Sequence, residues 1–355
     1  MKKHIIFTGG GTGGHVYPAI AIIENLKKEG YDISWIGSKK GIEYKIVKGL
    51  GLKFYSIPSG KLRRYFSFQN FIDIFKIFIG FVASVVILIK VRPNLIFSKG
   101  GYVTVPPIIA SKMLKIRSVT HESDFTPGLA TRINSKFVDR ILVPYNETQK
   151  YFKGLIKDKV VVTGNPVRED FFNPSMEKGK DIMGFKTNKP TILVLGGSLG
   201  AKEINDVVLA AKDDLTEKYN VYHQMGENNY IEIEEDSYKS IPFINNSIAD
   251  VIKATDLVIS RAGAGAIWEF ATVGVPSLLI PLTVGTRGDQ VFNADYFVNK
   301  GISLKLSGSD VNKQNLLNVI DNYFNKTKKE MVGNVSTFKN SNSVDNICRI
   351  IKELI

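Results

Sequence analysis

Short apolar runs alternate with stretches whose apolar residues recur every three or four positions, along nearly the whole chain. His4–Phe7, Ile33–Ile36, Phe54–Ile57, Leu95–Ser98, Ser118–His121 and Ile141–Pro144 have the composition of strands buried on both faces. Between the first two, Ala19–Glu29 places Ile20, Ile22, Ile23 and Leu26 on one helical face. This alternation predicts a doubly wound α/β fold on a parallel sheet. The pattern breaks at Thr163-Gly164-Asn165-Pro166-Val167-Arg168 and the polar, lysine-rich stretch that runs to Lys189. It then restarts with a strand at Thr191–Leu195 and a helix through Lys212. Further on come a strand at Asp256–Ser260, a short helix at Ile267–Val273 and a strand at Ser277–Pro281. Two Rossmann-like domains are expected, 1–162 and 163–335, facing each other across a cleft.

Each half opens on a strand followed by a glycine turn. Thr8–Pro18 carries Gly9, Gly10, Gly11, Thr12, Gly13 and Gly14, with almost no side-chain bulk to keep a ligand off the backbone. A strand, glycine turn and helix in that order aim backbone N–H groups and a positive helix end at an anion. Gly9-x-Gly11-x-x-Gly14 matches a dinucleotide fingerprint, but His15 occupies the first helical turn. The second strand ends in Gly37-Ser38 where a ribose-binding acid is expected, and Asp32 is at its wrong end. A nicotinamide cofactor is therefore disfavoured. Lys99-Gly100-Gly101-Tyr102 and His121-Glu122-Ser123-Asp124 each follow a strand, and with the first turn they converge on one sheet edge. In the second half, Gly196-Gly197-Ser198-Leu199-Gly200 repeats the theme. Arg261–Ala266 is a small-residue turn that would let a diphosphate approach the start of the following helix. Glu269, one turn into that helix, is placed to accept both hydroxyls of a ribose. Asp289, Gln290 and Asn293 head the next helix.

Phe66–Lys90 is the most apolar segment. Its polar positions Gln69, Asp73, Lys76, Gly80 and Ser84 form one narrow stripe, and Lys61, Arg63, Arg64, Lys90 and Arg92 flank it. A core helix would explain the stripe but not the basic flanks, which suit a surface lying on an acidic membrane. The formal charge of +13 likewise asks for an anionic partner. Cys348, the single cysteine, excludes an internal disulfide and fits a reducing compartment. Met1-Lys2-Lys3 runs straight into a strand, so no signal peptide is expected. The four histidines are scattered without metal-ligand spacing, and no Asp-x-Asp motif is present.

The segments GGGTGGHVYP, KGGYV, HES, TGNPVR, GGSLGA and RAGAGAIWE…GVPSLLIP…DQVFNA, in order over nearly the full length, closely resemble the bacterial peptidoglycan N-acetylglucosaminyltransferase family of the GT-B fold. The resemblance implies transfer of GlcNAc from UDP-GlcNAc to the muramoyl O4 of lipid I, giving lipid II with inversion. It implies no cofactor, no metal and no nucleic-acid partner, and a peripheral location on the cytoplasmic face of the inner membrane. By the same resemblance His15 and Glu122 lie at the catalytic end. The donor is assigned to Thr12, Gly13, Gly14, Asp124, Arg168, Ser198, Ile244, Gly263, Ala264, Gly265, Ala266, Glu269, Gln290 and Asn293. Within that set the backbone of Ile244 meets uracil and Glu269 the ribose. The acceptor diphosphate is assigned to Gly10, Gly11, Gly100, Gly101 and Tyr102. Arg63, Arg64, Phe75, Phe78, Val82 and Lys90 are expected at the membrane, and a helix within 336–355 is expected to pack back on the first domain. Ser123-Asp124, Leu199, Ala266 and Asp289 depart from the family's usual residues, and each alters a polar contact near the donor sugar. A UDP-GlcNAc epimerase or another GT-B sugar-nucleotide enzyme is the alternative.

Overall fold

The computed structural model describes residues 2–60, 68–197, 200–244, 247–283, 288–338 and 343–355, with the side chains of 68–72 excepted. Arg63, Arg64 and Ser198 therefore lie outside the described residues. The first unit builds β1 (His4–Thr8), α1 (Tyr17–Lys28), β2 (Asp32–Gly37), α2 (Ile42–Gly49) and β3 (Lys53–Ser56). It continues through α3 (Phe68–Val91), β4 (Leu95–Ser98), α4 (Val105–Met113), β5 (Arg117–His121), α5 (Leu129–Asn134), β6 (Arg140–Val143) and β7 (Val160–Val162). The strands form a parallel sheet in the order β3-β2-β1-β4-β5-β6-β7.

The side-chain period of two sorts the core. Ile5 and Phe7, with Trp35, Phe97 and Leu142, bury one face against α1, and Ile6, Ile36, Ile96 and Ile141 bury the other. The strand order reverses direction between β1 and β4, so the turns after these two strands sit at the switch point where such sheets take ligands.

The second unit contains α6 (Met176–Met183), β8 (Thr191–Leu195), α7 (Lys202–Ala210), α8 (Lys212–Lys218), β9 (Asn220–Gln224), β10 (Glu234–Glu235) and β11 (Tyr238–Ile241). After these come α9 (Ile248–Lys253), β12 (Leu257–Ser260), α10 (Ala264–Val273), β13 (Ser277–Leu279), α11 (Asp289–Asn299), β14 (Ser303–Lys305), α12 (Lys313–Asn322) and α13 (Lys328–Thr337). The order is β10-β11-β9-β8-β12-β13-β14, parallel except for β10. The helix expected through Lys212 is two helices. The chain breaks at Ala211, and Asp213 and Asp214 in the first turn of α8 favour a fresh N-terminus.

The last helix, α14 (Ser343–Leu354), belongs to the first unit, which comprises Met1–Arg168 and Asn342–Ile355; the second is Glu169–Ser341. Ile347, Cys348, Ile350 and Ile351 of α14 enter the core beneath α1, and Lys352 pairs with Glu29 at 2.9 Å. Asn165 ties the segment between β7 and the unit boundary into this unit, donating to the Ser123 carbonyl at 3.2 Å and accepting from Ser343 at 2.8 Å.

Helix α3 is built inside out. Asp73, Gly80, Ser84 and Leu88 face inward, while Ile74, Phe75, Phe78, Ile79, Val82, Val86 and Ile89 are exposed. Phe75 is 68% exposed and Phe78 63%, so the segment is not a core helix with its polar stripe toward water. Gly80 permits the inversion, because a Cβ there would collide with the Pro58 carbonyl. Ser84 returns its hydroxyl to the Gly80 carbonyl at 2.6 Å, and Lys76 pairs with Asp73 at 3.2 Å. The stretch Asp73–Val91 has mean hydropathy 2.5 with 17% of it buried, and Lys90 is exposed at its end.

Candidate functional site

In the first unit three turns after β1, β4 and β5 come together. Gly100 (φ +94°) and Gly101 (φ +87°) adopt backbone that a side chain rarely reaches. A Cβ on Gly101 would strike the carbonyl of Gly10, so the two glycine turns interlock backbone to backbone. The Tyr102 ring lies against Gly11, and the His15 ring against Gly100. Gly10, Gly11, Gly100, Gly101, Tyr102 and His15 therefore form one cluster. Burial, and then the carboxylate of Glu43, pushes the Tyr102 phenol above its ordinary pKa, which keeps it a neutral donor. Thr12 is extended, Gly13–His15 is a single tight turn, and α1 follows with Pro18 in its first turn. The N–H groups of His15 and Val16 bond the carbonyls of Thr12 and Gly13. Among the described residues nothing accepts from Thr12, Gly13 or Gly14.

Two buried charges underlie these turns, and the sequence reading missed both. Glu43 is fully buried, accepts from Ser38 N–H at 3.1 Å and Gly11 N–H at 3.2 Å, and fills the space beneath Gly10. Gly11 is thus not a free donor for an anion. The available signal was position: Glu43 shares the inward face of α2 with Val47, directly after a glycine turn. Lys99, which heads the KGGY turn, is also fully buried.

Glu122 differs from its expected role. Its Oε1 accepts from the N–H groups of Ser123 (2.9 Å) and Asp124 (3.2 Å), and its Oε2 from Gly128 N–H (2.8 Å) and Thr131 Oγ1 (2.6 Å). Four bonds occupy the four lone-pair sites of a carboxylate. Glu122 shapes the turn that carries Asp124, and it has no lone pair left for a substrate proton. His121 beside it is buried and bonded to the Gly164 carbonyl at 3.2 Å. Burial, aided by Lys99, holds its pKa well below 6.5.

In the second unit the switch point lies between β8 and β12, whose turns carry the remaining candidates. Gly263 is the N-cap of α10, so Ala264, Gly265 and Ala266 are already helical and form the first turn. The helix's first recorded bond runs from Ile267 N–H to the Gly263 carbonyl, which leaves the preceding N–H groups facing outward. Nothing lies within 4 Å of a Cβ built on Gly263 or Gly265. Glu269 is half-buried, one turn further along. Arg261 is committed elsewhere, to Glu203 at 2.6 Å and the Ile280 carbonyl at 3.1 Å.

Three expected donor contacts are modified. Ile244 N–H is held by Gln224 Oε1 at 2.9 Å, which leaves its carbonyl as the backbone group open to a ligand. Asn293 is fully buried and donates to the Ala262 carbonyl at 3.3 Å, which makes it a support of the α10 turn. Gln290 Oε1 accepts from Leu282 N–H at 2.9 Å, leaving its amide nitrogen for a ligand. Gln224 also donates to the Gly197 carbonyl at 3.2 Å, joining the first turn of this unit to the segment at Ile244; no sequence motif marked it. Arg168 and Asp124 lie in the first unit, Arg168 as the last residue before the boundary.

Residues 5–143 match the glycosyltransferase family 28 N-terminal domain and residues 191–347 its C-terminal domain. A protein of Treponema denticola is 48% identical over 332 residues, covering 87% of this chain and 85% of its own. One of Clostridium tetani is 41% identical over 356 residues, covering 99% and 98%. Both are named UDP-N-acetylglucosamine–N-acetylmuramyl-(pentapeptide) pyrophosphoryl-undecaprenol N-acetylglucosamine transferase. Among solved structures, Acinetobacter baumannii MurG superposes with a TM-score of 0.79 over 99% of both chains at 24% identity, which shows the same two-sheet GT-B architecture.

Proposed function

The chain belongs to glycosyltransferase family 28, and from that premise we propose that it transfers N-acetylglucosamine from UDP-GlcNAc to the muramoyl O4 of lipid I, releasing UDP and lipid II. The observation that carries this reading is identity of 41% with a named transferase across 99% of the chain, both glycine-turn units included. An anion site at each switch point supports it, since each substrate carries a diphosphate.

The second unit takes the donor. The outward N–H groups of Ala264, Gly265 and Ala266 and the dipole of α10 receive the diphosphate of UDP, with Arg168 and Ser198 as further contacts. Glu269 accepts both ribose hydroxyls, and the Ile244 carbonyl accepts from uracil N3–H. The first unit takes the acceptor: the interlocked turns at Gly10–Gly11 and Gly100–Gly101 hold its diphosphate, with Tyr102 as a neutral donor. In the reaction the acceptor oxygen attacks the anomeric carbon, and the bond from that carbon to the UDP oxygen breaks with inversion. The His15 imidazole receives the hydroxyl proton. Charge developing on UDP is met by the α10 N–H groups, a preorganised electrostatic role that needs no metal ion. The apolar outer face of α3 lies on an anionic membrane, with Arg63, Arg64 and Lys90 toward the headgroups.

Radiolabelled UDP-GlcNAc incubated with lipid I tests the assignment. Label in the lipid fraction is expected. Label that remains in a water-soluble UDP-sugar as an epimer would establish the epimerase instead.

A further inference from the structure

Lys99 has no part in the roles given so far. Its N–H bonds the Thr8 carbonyl at 2.8 Å, and its stem packs beside Gly9. Its Nζ donates to Ser123 Oγ. One side chain therefore runs beneath the first glycine turn, from the second turn to the third. A buried ammonium is costly unless it is compensated. Here the compensation is one hydroxyl, with Glu122 and Asp124 near enough to favour the charge, and Glu122 already spends its oxygens on four other donors. Among the described residues Lys99 forms no ion pair, and its ammonium has one hydrogen-bond partner, Ser123 Oγ.

We propose that Lys99 is a positioning residue for the acceptor diphosphate: its ammonium, pinned by Ser123 beneath the interlocked glycine turns, supplies the charge against which their N–H groups gather the anion. This rests on the reading that the first unit takes a polyprenyl diphosphate-linked acceptor. Burial pulls the Lys99 pKa down to about 8, so its charge fades across the range where surface lysines keep theirs. The groups that face it are Glu122 and Asp124 from the third turn, His121 from β5 and, across Gly100, His15. His121, held well below its ordinary pKa by burial and by Lys99, is neutral across this range. A prenyl diphosphate gains charge as pH rises, which would strengthen binding. Weakening is therefore the signature of Lys99.

Geranyl diphosphate binding to the whole protein, followed by calorimetry at pH 7 and pH 9, reads this directly. Wild-type affinity is expected to fall about fivefold between the two. Lys99→Met is expected to bind roughly tenfold more weakly at pH 7 and to lose the slope, with Ser123→Ala between the two proteins. A flat wild-type affinity overturns the proposal, as does Lys99→Met with wild-type affinity and slope. Should Lys99→Met melt below the assay temperature, an unchanged affinity and slope in Ser123→Ala overturns it. GlcNAc transfer measured on the same preparations separates the two ideas. The expected binding without transfer defeats the transferase reading alone, and transfer with pH-independent binding defeats the Lys99 proposal alone.

Discussion

The imidazole of His15 rests on Gly100, with its Nδ1 3.4 Å from where a Cβ on that glycine would sit. The first turn thus presents its histidine through space that the second turn leaves empty. Loss of a general base costs about 10²–10⁴-fold in rate. His15→Ala is expected to lower kcat at least a hundredfold, about the lower end of that range, with UDP affinity unchanged. Glu122→Gln should instead lose stability, by about 1–3 kcal/mol, because an amide oxygen cannot replace two carboxylate oxygens in four bonds. If His15→Ala keeps its kcat while a folded Glu122→Gln loses it, the proton goes to Glu122.

Gly101 admits no side chain. At φ +87° it has a conformation costing on the order of 1–3 kcal/mol for other residues, and a Cβ would also strike the Gly10 carbonyl. Gly101→Ala is therefore expected to raise the acceptor KM while leaving the donor KM within about twofold, since the clash is confined to the first unit's turns. Equal effects on both substrates would show that the turns do not serve the acceptor alone.

Donor affinity should depend on Glu269. A charge-assisted pair to the ribose is worth about 1.5–3 kcal/mol, so Glu269→Ala is expected to raise the UDP-GlcNAc KM roughly tenfold or more with the melting temperature intact. An unchanged KM removes Glu269 from the donor site.

Acid stability carries the mark of His223. It is buried and neutral, bonded to the Tyr238 hydroxyl at 2.6 Å and Asn205 Oδ1 at 3.0 Å, and burial pulls its pKa down to about 3. In the unfolded chain it titrates near ~6.5. Below that pH the unfolded state takes up a proton that the folded state refuses. Stability from this group is complete above ~6.5 and is lost as pH falls toward the folded value. About 2 kcal/mol should be gone by pH 5. Thermal unfolding between pH 7.5 and 5 should show that decline, and His223→Gln a shallower one; parallel slopes would discount His223.

The outer face of α3 makes the membrane prediction sharp. Replacing Phe75 and Phe78 with Ser removes two exposed rings and no core contact, so vesicle binding should fall while the melting temperature holds. Wild-type binding to anionic vesicles should weaken with salt, as headgroup attraction is screened. Unfolding of the double variant, with wild type ignoring vesicles, would make the rings structural.

The strands and glycine turns were legible because their signals are local: Thr191–Leu195 is continuous apolar chain, and the glycines of KGGY need positive φ whatever surrounds them. What escaped depends on contacts across the sheet edge. The four bonds of Glu122 come from Ser123, Asp124, Gly128 and Thr131, and only the folded turn brings those donors to one carboxylate. No pattern in the sequence marks Glu43 or Lys99 as buried, since burial of a charge is decided by distant backbone. In α3 the periodicity was plain, but a narrow polar stripe does not say which side it faces. Gly80 decided that, through its approach to Pro58.

The arrangement of α3 also governs how the protein would leave a bilayer. A helix that enters end-on must take its whole circumference into hydrocarbon, and a charged residue at the centre of such a helix costs about 2.5–3.5 kcal/mol. Asp73 and Ser84 are instead kept on the protein side, so only half the cylinder can be wetted by lipid. Such a helix floats broadside and sinks no deeper than its polar waterline. If α3 does lie on a bilayer as proposed, adsorption is expected to be a partition equilibrium: a salt wash should loosen the protein from anionic vesicles without detergent, and fresh lipid should take it up again.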